Sequence, residues 1–504
     1  MTSKFHAIPG SISRRGACLR RTIAAVAVTL GFYGTSSPAS AQPKAPPDML
    51  VRLAGSGVIG GRPVQELATA WARQLKLAGI RIDSGMDPDE YDIVAEGAEN
   101  SGHMTVQSRS HGTASGIEPL LRGQADLWMA SRAVRDADLD AMRKRNVPNI
   151  PTAAQFQQPG VENVIGLTAL AVAVHPRNPV PALTFQQLRD IFAGKSTSWA
   201  QVGGPSNLPI GIYSLDVTDS DTDTFCGTIL GNPDTQKCVD SFPRLAAPRA
   251  GMGGEDLADA VAGNPAGIGF VSYSARRSAR PLPLGNVCGT GVAPSLFKMK
   301  AEEYPLVQRL YLYAAPGRPL SPAANDFLQF ALGPVGQAAI AASGLADQAP
   351  GVSDPDYADS RLDTASNAMD GGRTRVRAPD VRAFEAATAG ADRLSITFRF
   401  QAGTNALDSR AEADIARLTD LLHKPNYARA SVTLIGFSST IGDYIGNRQL
   451  ARERAESIRD RLATANIPNV SAVGIGPGAA IACNLDPTTT QLNQRVEVWL
   501  RKGG

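Results

Sequence analysis

Histidine and cysteine are scarce, five of each in 504 residues. That leaves little for a metal cluster, and no pair among them has zinc-site spacing. The hydrolase elbow G-x-S-x-G, the P-loop and the zinc-protease H-E-x-x-H are missing too. No run approaches 18 uninterrupted apolar residues, which excludes an ordinary spanning helix. A basic excess is also lacking. The formal net charge is +3, but Lys4, Arg14, Arg15, Arg20 and Arg21 precede residue 42 with no acid among them, and without those five it is −2. A nucleic-acid footprint is therefore unsupported. What is present is a globular balance, 43% apolar and 19% charged, over a length that suggests two or three domains.

Residues 1–41 read as a signal peptide. A basic segment ends at Arg20-Arg21, the apolar run Ile23 to Tyr33 follows, and Ala39-Ser40-Ala41 has the A-x-A pattern of a cleavage site. Cleavage after Ala41 would leave Gln42 first and place the chain in the periplasm. Ser13-Arg14-Arg15 is a weak twin-arginine motif, and Cys18 precedes the apolar run, where no lipobox cysteine would sit. An oxidising compartment permits disulfides. Cys226 and Cys238, on either side of a Gly-Asn-Pro turn, are spaced to close a small loop. Cys288 and Cys483 fall in different expected domains, so free thiols and a bridge stay open for them.

From about 48 to 350, strand-like and helix-like stretches alternate. Strands are expected at Met49 to Ala54, His103 to Gln107, Ala125 to Ala130 and Val164 to Val174, the last a nearly continuous apolar run. Helical spacing covers Val64 to Leu77 and Ile117 to Arg122. This rhythm predicts an α/β fold. Residues 351–390 read as a linker with one short helix at Val381 to Ala387, and 391–504 as a small β-α-β-α-β-β domain.

Three turns in the large domain follow strands and carry hydroxyls: Gly55-Ser56-Gly57, Gly112-Thr-Ala-Ser-Gly116, and Ser220-Asp221-Thr222. Ser and Thr there either cap helices or offer donors to an anion. Around them lie Gly123-Gln-Ala-Asp-Leu127, Met129-Ala-Ser-Arg132, His175-Pro-Arg-Asn-Pro179, Asp190-Ile-Phe-Ala-Gly194 and Asn264-Pro-Ala-Gly-Ile-Gly-Phe270. In this order they resemble the substrate-binding protein of the phosphate ABC transporter, over roughly 50–345. The resemblance implies a two-lobed periplasmic-binding-protein fold closing on a ligand. Carried over residue by residue, it implies anion contacts from Ser56, Gly57, Thr113, Ser131, Arg132, Ser220 and Thr222, with Arg132 the main cation. It also marks two departures. Asp216 stands where the family has arginine, and Asp221 replaces the glycine whose backbone approaches the anion. Asp219, Asp221 and Asp223 open like a calcium loop, but the glycine is absent and the twelfth position is Leu230.

Near the C-terminus, Phe398-Arg-Phe400, Gly436 leading through Gly442 to Asn447, Arg454-Ala455, and Asn493-Gln-Arg-Val-Glu497 resemble the OmpA-like peptidoglycan-binding domain. That family clamps a zwitterionic stem peptide with a carboxylate and a guanidinium. The resemblance implies peptidoglycan contacts from Arg454, Asn447 and Arg495, with Ser439 at the clamp's aspartate position and Asp443 as a substitute carboxylate.

No cofactor and no catalysis are expected. Gly55-Ser56-Gly57-Val58-Ile59-Gly60 opens like a dinucleotide fingerprint, but an exported chain rarely needs a nicotinamide. The expected function is a periplasmic solute-binding protein for phosphate or a related small oxyanion, anchored to peptidoglycan, with an ABC transporter permease as partner. The alternative is a structural or adhesion-type wall protein that reuses the binding fold without transport. The acidic loop 216–223 points to the second and the intact lobe framework to the first.

Overall fold

The computed structural model describes residues 48–503, except 88, 98–101, 218, 244–251, 286–290, 371–375, 402–403, 428 and 482–490. The signal segment, Cys288 and Cys483 lie outside these residues. Among the described residues no helix is long and apolar enough to cross a membrane.

One sheet runs through both lobes. From its outer edge its strands are Ala78–Ser84, Glu90–Glu96, His103–Arg109, Met49–Gly55, Leu127–Ala130, Val307–Tyr313, Glu162–Val174, Gly267–Ser272 and Gly211–Ile212. The strands 103–109, 49–55 and 127–130 are parallel; the central 127–130 is buried on every residue, while 103–109 alternates buried and part-exposed positions. The helix Arg62–Gln74 turns Val64, Leu67, Ala68 and Trp71 onto the first core. There the Trp71 ring meets Phe327 edge-on, 5.3 Å between centroids, and its Nε1 donates to Asp326 at 3.0 Å. The second core stacks Phe225 on Phe270 at 4.1 Å. Cys226 and Cys238 form a buried disulfide, 5.9 Å between Cα atoms, beside that stack.

Two long antiparallel strands join the lobes. Glu162–Val174 and Val307–Tyr313 pair from Val307 with Ala169 to Tyr313 with Glu162, with a register shift between Leu310 and Tyr311. Ile165, Leu310 and Leu312 belong to the first core, whereas Leu167 to Val174 and Leu306 belong to the second. These strands are the hinge.

The C-terminal sheet orders its strands Asp392–Arg399, Arg495–Arg501, Ser431–Phe437 and Val470–Gly476. The helices Ser409–Leu422 and Tyr444–Thr464 complete the β-α-β-α-β-β pattern. The stretch 351–390, expected as a linker with one short helix at Val381 to Ala387, carries two helices, Tyr357–Asp370 and Ala378–Thr388, the second spanning the expected one. Tyr357, Val381 and Phe384 pack with Ile435, Phe437 and Trp499. A few large residues anchor these helices, which is why no apolar stripe marked them in the sequence.

Buried charge fastens the two parts. Glu302 accepts from Arg309 at 2.5 Å and Arg399 at 2.8 Å, with Arg410 3.0 Å away. Burial raises the Glu302 pKa, but Arg309, Arg410 and Arg399 outweigh it and hold it well below the usual carboxylate range. Beside it, Glu303 accepts from the Tyr357 hydroxyl. Arg361 and Arg393 each lie 3.8 Å from Glu303 and also reach Glu497, at 3.2 and 3.4 Å.

Candidate anion cleft and wall-binding site

The first-lobe turns are built by close backbone approach. A Cβ on Gly116 would lie 2.2 Å from the Ala54 carbonyl oxygen, so only glycine fits there. Ser56 is fully buried, and its N–H donates to the Met129 carbonyl at 2.9 Å. Its hydroxyl makes no capping bond and has no partner. Thr113 Oγ1 lies 2.9 Å from Ser131 Oγ and accepts from the Ser131 N–H at 3.1 Å. In the second lobe, Thr222 is fully buried at the start of the helix Ser220–Phe225, and its hydroxyl is also unpartnered. Two of the expected contacts thus present buried hydroxyls with nothing bonded to them, where capping would have consumed them. A partnerless buried hydroxyl costs roughly 1–3 kcal/mol, so such groups call for an occupant.

The lobes meet where Arg132 Nε lies 3.5 Å from Asp223 of that helix. Arg132, expected as the main cation, is paired on both sides. Its guanidinium forks onto Asp138 at 2.7 and 2.9 Å. Burial lowers its pKa, but Asp138 and Asp223 more than offset this and hold it above its ordinary value. Asp138 also accepts from the Arg135 N–H at 2.9 Å, so it starts the helix Asp136–Lys144 and neutralises Arg132 together.

The acidic loop differs from expectation as well. Asp221 points away from the cleft, accepting from the Ser272 N–H at 2.5 Å and the Ser272 hydroxyl at 2.8 Å. Burial, and then Asp219, push its pKa up to about 7. Asp219 caps the helix by accepting from the Asp221 N–H at 2.7 Å. Its carboxylate therefore sits on an amide that an oxyanion would use. Asp216 is exposed. Ser220 stands at the helix start, and Gly57 opens the first-lobe helix Gly57–Gly60.

A raised acid favours the protonated fold. The Asp221 contribution to stability is complete below the unfolded pKa near 4 and is lost as pH rises through about 7. Asp221→Asn is therefore expected to flatten the fall in melting temperature between pH 5 and pH 8. An unchanged fall would contradict this burial.

In the C-terminal part, a Cβ on Gly436 would sit 1.8 Å from the Ala451 carbonyl oxygen, so glycine lets the strand touch the helix Tyr444–Thr464. Arg454 on that helix is buried at 4% exposure, and its guanidinium lies 4.6 Å from the Phe400 ring centroid. Nη2 donates to the Thr404 carbonyl at 3.2 Å and Nε to Asn405 at 3.4 Å. Nη1 has no partner, and among the described residues Arg454 forms no ion pair. Burial lowers its pKa. A carboxylate is what it lacks.

Residues 91–335 match the family model described as the PBP superfamily domain, and 399–490 match the OmpA family. The chain joins a PBP superfamily domain to an OmpA family domain. Protein SphX of Synechococcus elongatus is 24% identical over 280 residues, 54% of this chain and 76% of that protein. The phosphate-binding protein PstS of Pseudomonas aeruginosa is 23% identical over 345 residues, 65% of this chain and 94% of that one. Among solved structures, an ABC-type phosphate transport receptor from Vibrio cholerae overlays at 19% identity and TM-score 0.40, covering 58% of this chain and 98% of that one.

Other expected wall contacts in the OmpA domain are engaged elsewhere. Ser439 is buried, and its carbonyl accepts from Ser438 Oγ at 3.2 Å. Asp443 is exposed and caps the long helix, accepting from the Gly446 N–H at 2.7 Å. Asn447 Nδ2 closes the loop onto the Ile441 carbonyl at 2.8 Å. Arg495 is fully buried over Phe437 and bonded to Glu497 at 2.6 Å. Burial pulls its pKa down to about 10. It is a core residue and faces no wall.

Proposed function

We propose that the chain is an exported periplasmic solute-binding protein for phosphate or a related small oxyanion. Residues 42–350 bind the solute and residues 391–504 tether the chain non-covalently to peptidoglycan, with an ABC transporter permease receiving the solute. The observation that carries this reading is the pair of buried, unpartnered hydroxyls, Ser56 Oγ and Thr222 Oγ1, one in each lobe. The name of PstS, a phosphate-binding protein, agrees with it and with a binding role. Gly57, Thr113, Ser131 and Ser220 complete the set, and Arg132 acts as a positioning cation held by Asp138. In the wall-binding half, Arg454 is the group offered to a stem-peptide carboxylate.

Calorimetry with inorganic phosphate and sulfate on residues 42–504 tests the cleft. Ser56→Ala and Thr222→Val should each weaken the bound anion roughly tenfold, at about 1–1.5 kcal/mol per lost bond. One observation favours the alternative, a wall protein without transport. Asp219 already fills the Asp221 amide, and heat-silent titrations with every oxyanion would select that reading.

A further inference from the structure

Beside the cleft, a cavity of about 370 Å³ opens between the hinge, both lobes and the OmpA domain. It shares Ser131 and the Asp138-paired Arg132 with the cleft, whereas none of Ser56, Thr113, Ser220 or Thr222 lines it. Two of its arginines are already neutralised, Arg309 by Glu302 and Asp408, and Arg399 by Glu302. Arg135 is different. It lines the cavity half-buried, and among the described residues its guanidinium has no hydrogen bond and no ion pair. On the same cavity's wall, Gln308 of the hinge strand is only 9% exposed, and its Nε2 has no partner. A guanidinium and an amide N–H₂ are both donors, so the missing occupant is an acceptor with negative charge.

The rest of the wall says more. Pro305, Val307 and Leu492 contribute apolar surface, which a bare tetrahedral ion would leave uncovered. The volume matches sites that hold small organic molecules. We propose that this cavity binds a small organic anion, one acidic group on a carbon skeleton, with Arg135 taking the acid and Gln308 a second acceptor. The OmpA domain supplies Leu492 and Gln491 to the wall, so the fused chain completes the site. The proposal rests on the geometry around Arg135 and Gln308 and not on oxyanion binding in the cleft.

The test is equilibrium titration of residues 42–504 with gluconate and with sn-glycerol 3-phosphate, each in the presence and absence of inorganic phosphate. At least one of the two should bind without competition from phosphate. Arg135→Gln and Gln308→Leu should each weaken that binding at least about tenfold, while phosphate affinity stays as in the parent. Melting curves confirm that both variants fold. No binding of either probe, or equal binding by all three proteins, overturns the proposal. Loss of phosphate binding alone, with probe binding intact, would instead sink the oxyanion reading of the cleft.

Discussion

Glu302→Ala is expected to lower stability by about 3–5 kcal/mol, because it strands buried guanidiniums with no countercharge. Glu302 stands between the solute-binding part and the OmpA domain. Arg309 comes from the hinge strand, and Arg399 and Arg410 from the C-terminal part. Removing the carboxylate should therefore also uncouple the two halves, so that denaturation shows two transitions where the parent shows one. Glu302→Gln keeps acceptor capacity and should cost less. The pH dependence has a definite sign. A carboxylate held below its ordinary pKa stabilises the fold above that ordinary value, and the contribution is lost as pH falls towards the folded value. Acid should thus separate the halves before it unfolds either one. Denaturation followed by tryptophan fluorescence checks this, and a loss under about 1 kcal/mol would show that the network is not held as described.

Arg454→Ala is expected to abolish sacculus pull-down, and Ser439→Asp to strengthen it. The guanidinium keeps one buried nitrogen free, whereas the Arg495 guanidinium is buried and paired with Glu497. A restored carboxylate at 439 adds a charge-assisted bond of roughly 1.5–3 kcal/mol, or about ten- to hundred-fold in affinity. Equal pull-down by parent and both variants would show that this surface has another role.

Much of the fold was legible because burial imposes period. The run Val164 to Val174 marked the hinge strand, and the β-α-β-α-β-β rhythm expected over 391–504 includes the helices Ser409–Leu422 and Tyr444–Thr464. The edge hairpin of Ala78–Ser84 and Glu90–Glu96 escaped notice, since 78–84 is exposed on almost every residue and so carries no alternation. The positions of the hydroxyls were legible, but their bonding was not. Capping and ligand binding use the same residues, and only the free Ser56 and Thr222 oxygens distinguish them. Arg132 was legible as the main cation, but its bidentate partner Asp138 was not, because a turn that no periodicity encodes brings the two together. Glu302 and Glu303 look like a solvated turn in sequence. Their partners Tyr357 and Arg399 come 54 and 97 residues later.

The central claim, a solute-binding protein held to the wall, is tested most directly by co-sedimentation of purified sacculi with residues 42–504 and radiolabelled inorganic phosphate. The account predicts that phosphate pellets in proportion to the protein, that Arg454→Ala returns both to the supernatant, and that Thr222→Val releases phosphate alone. Protein that pellets without phosphate, or phosphate that stays in solution at every protein concentration, would contradict it.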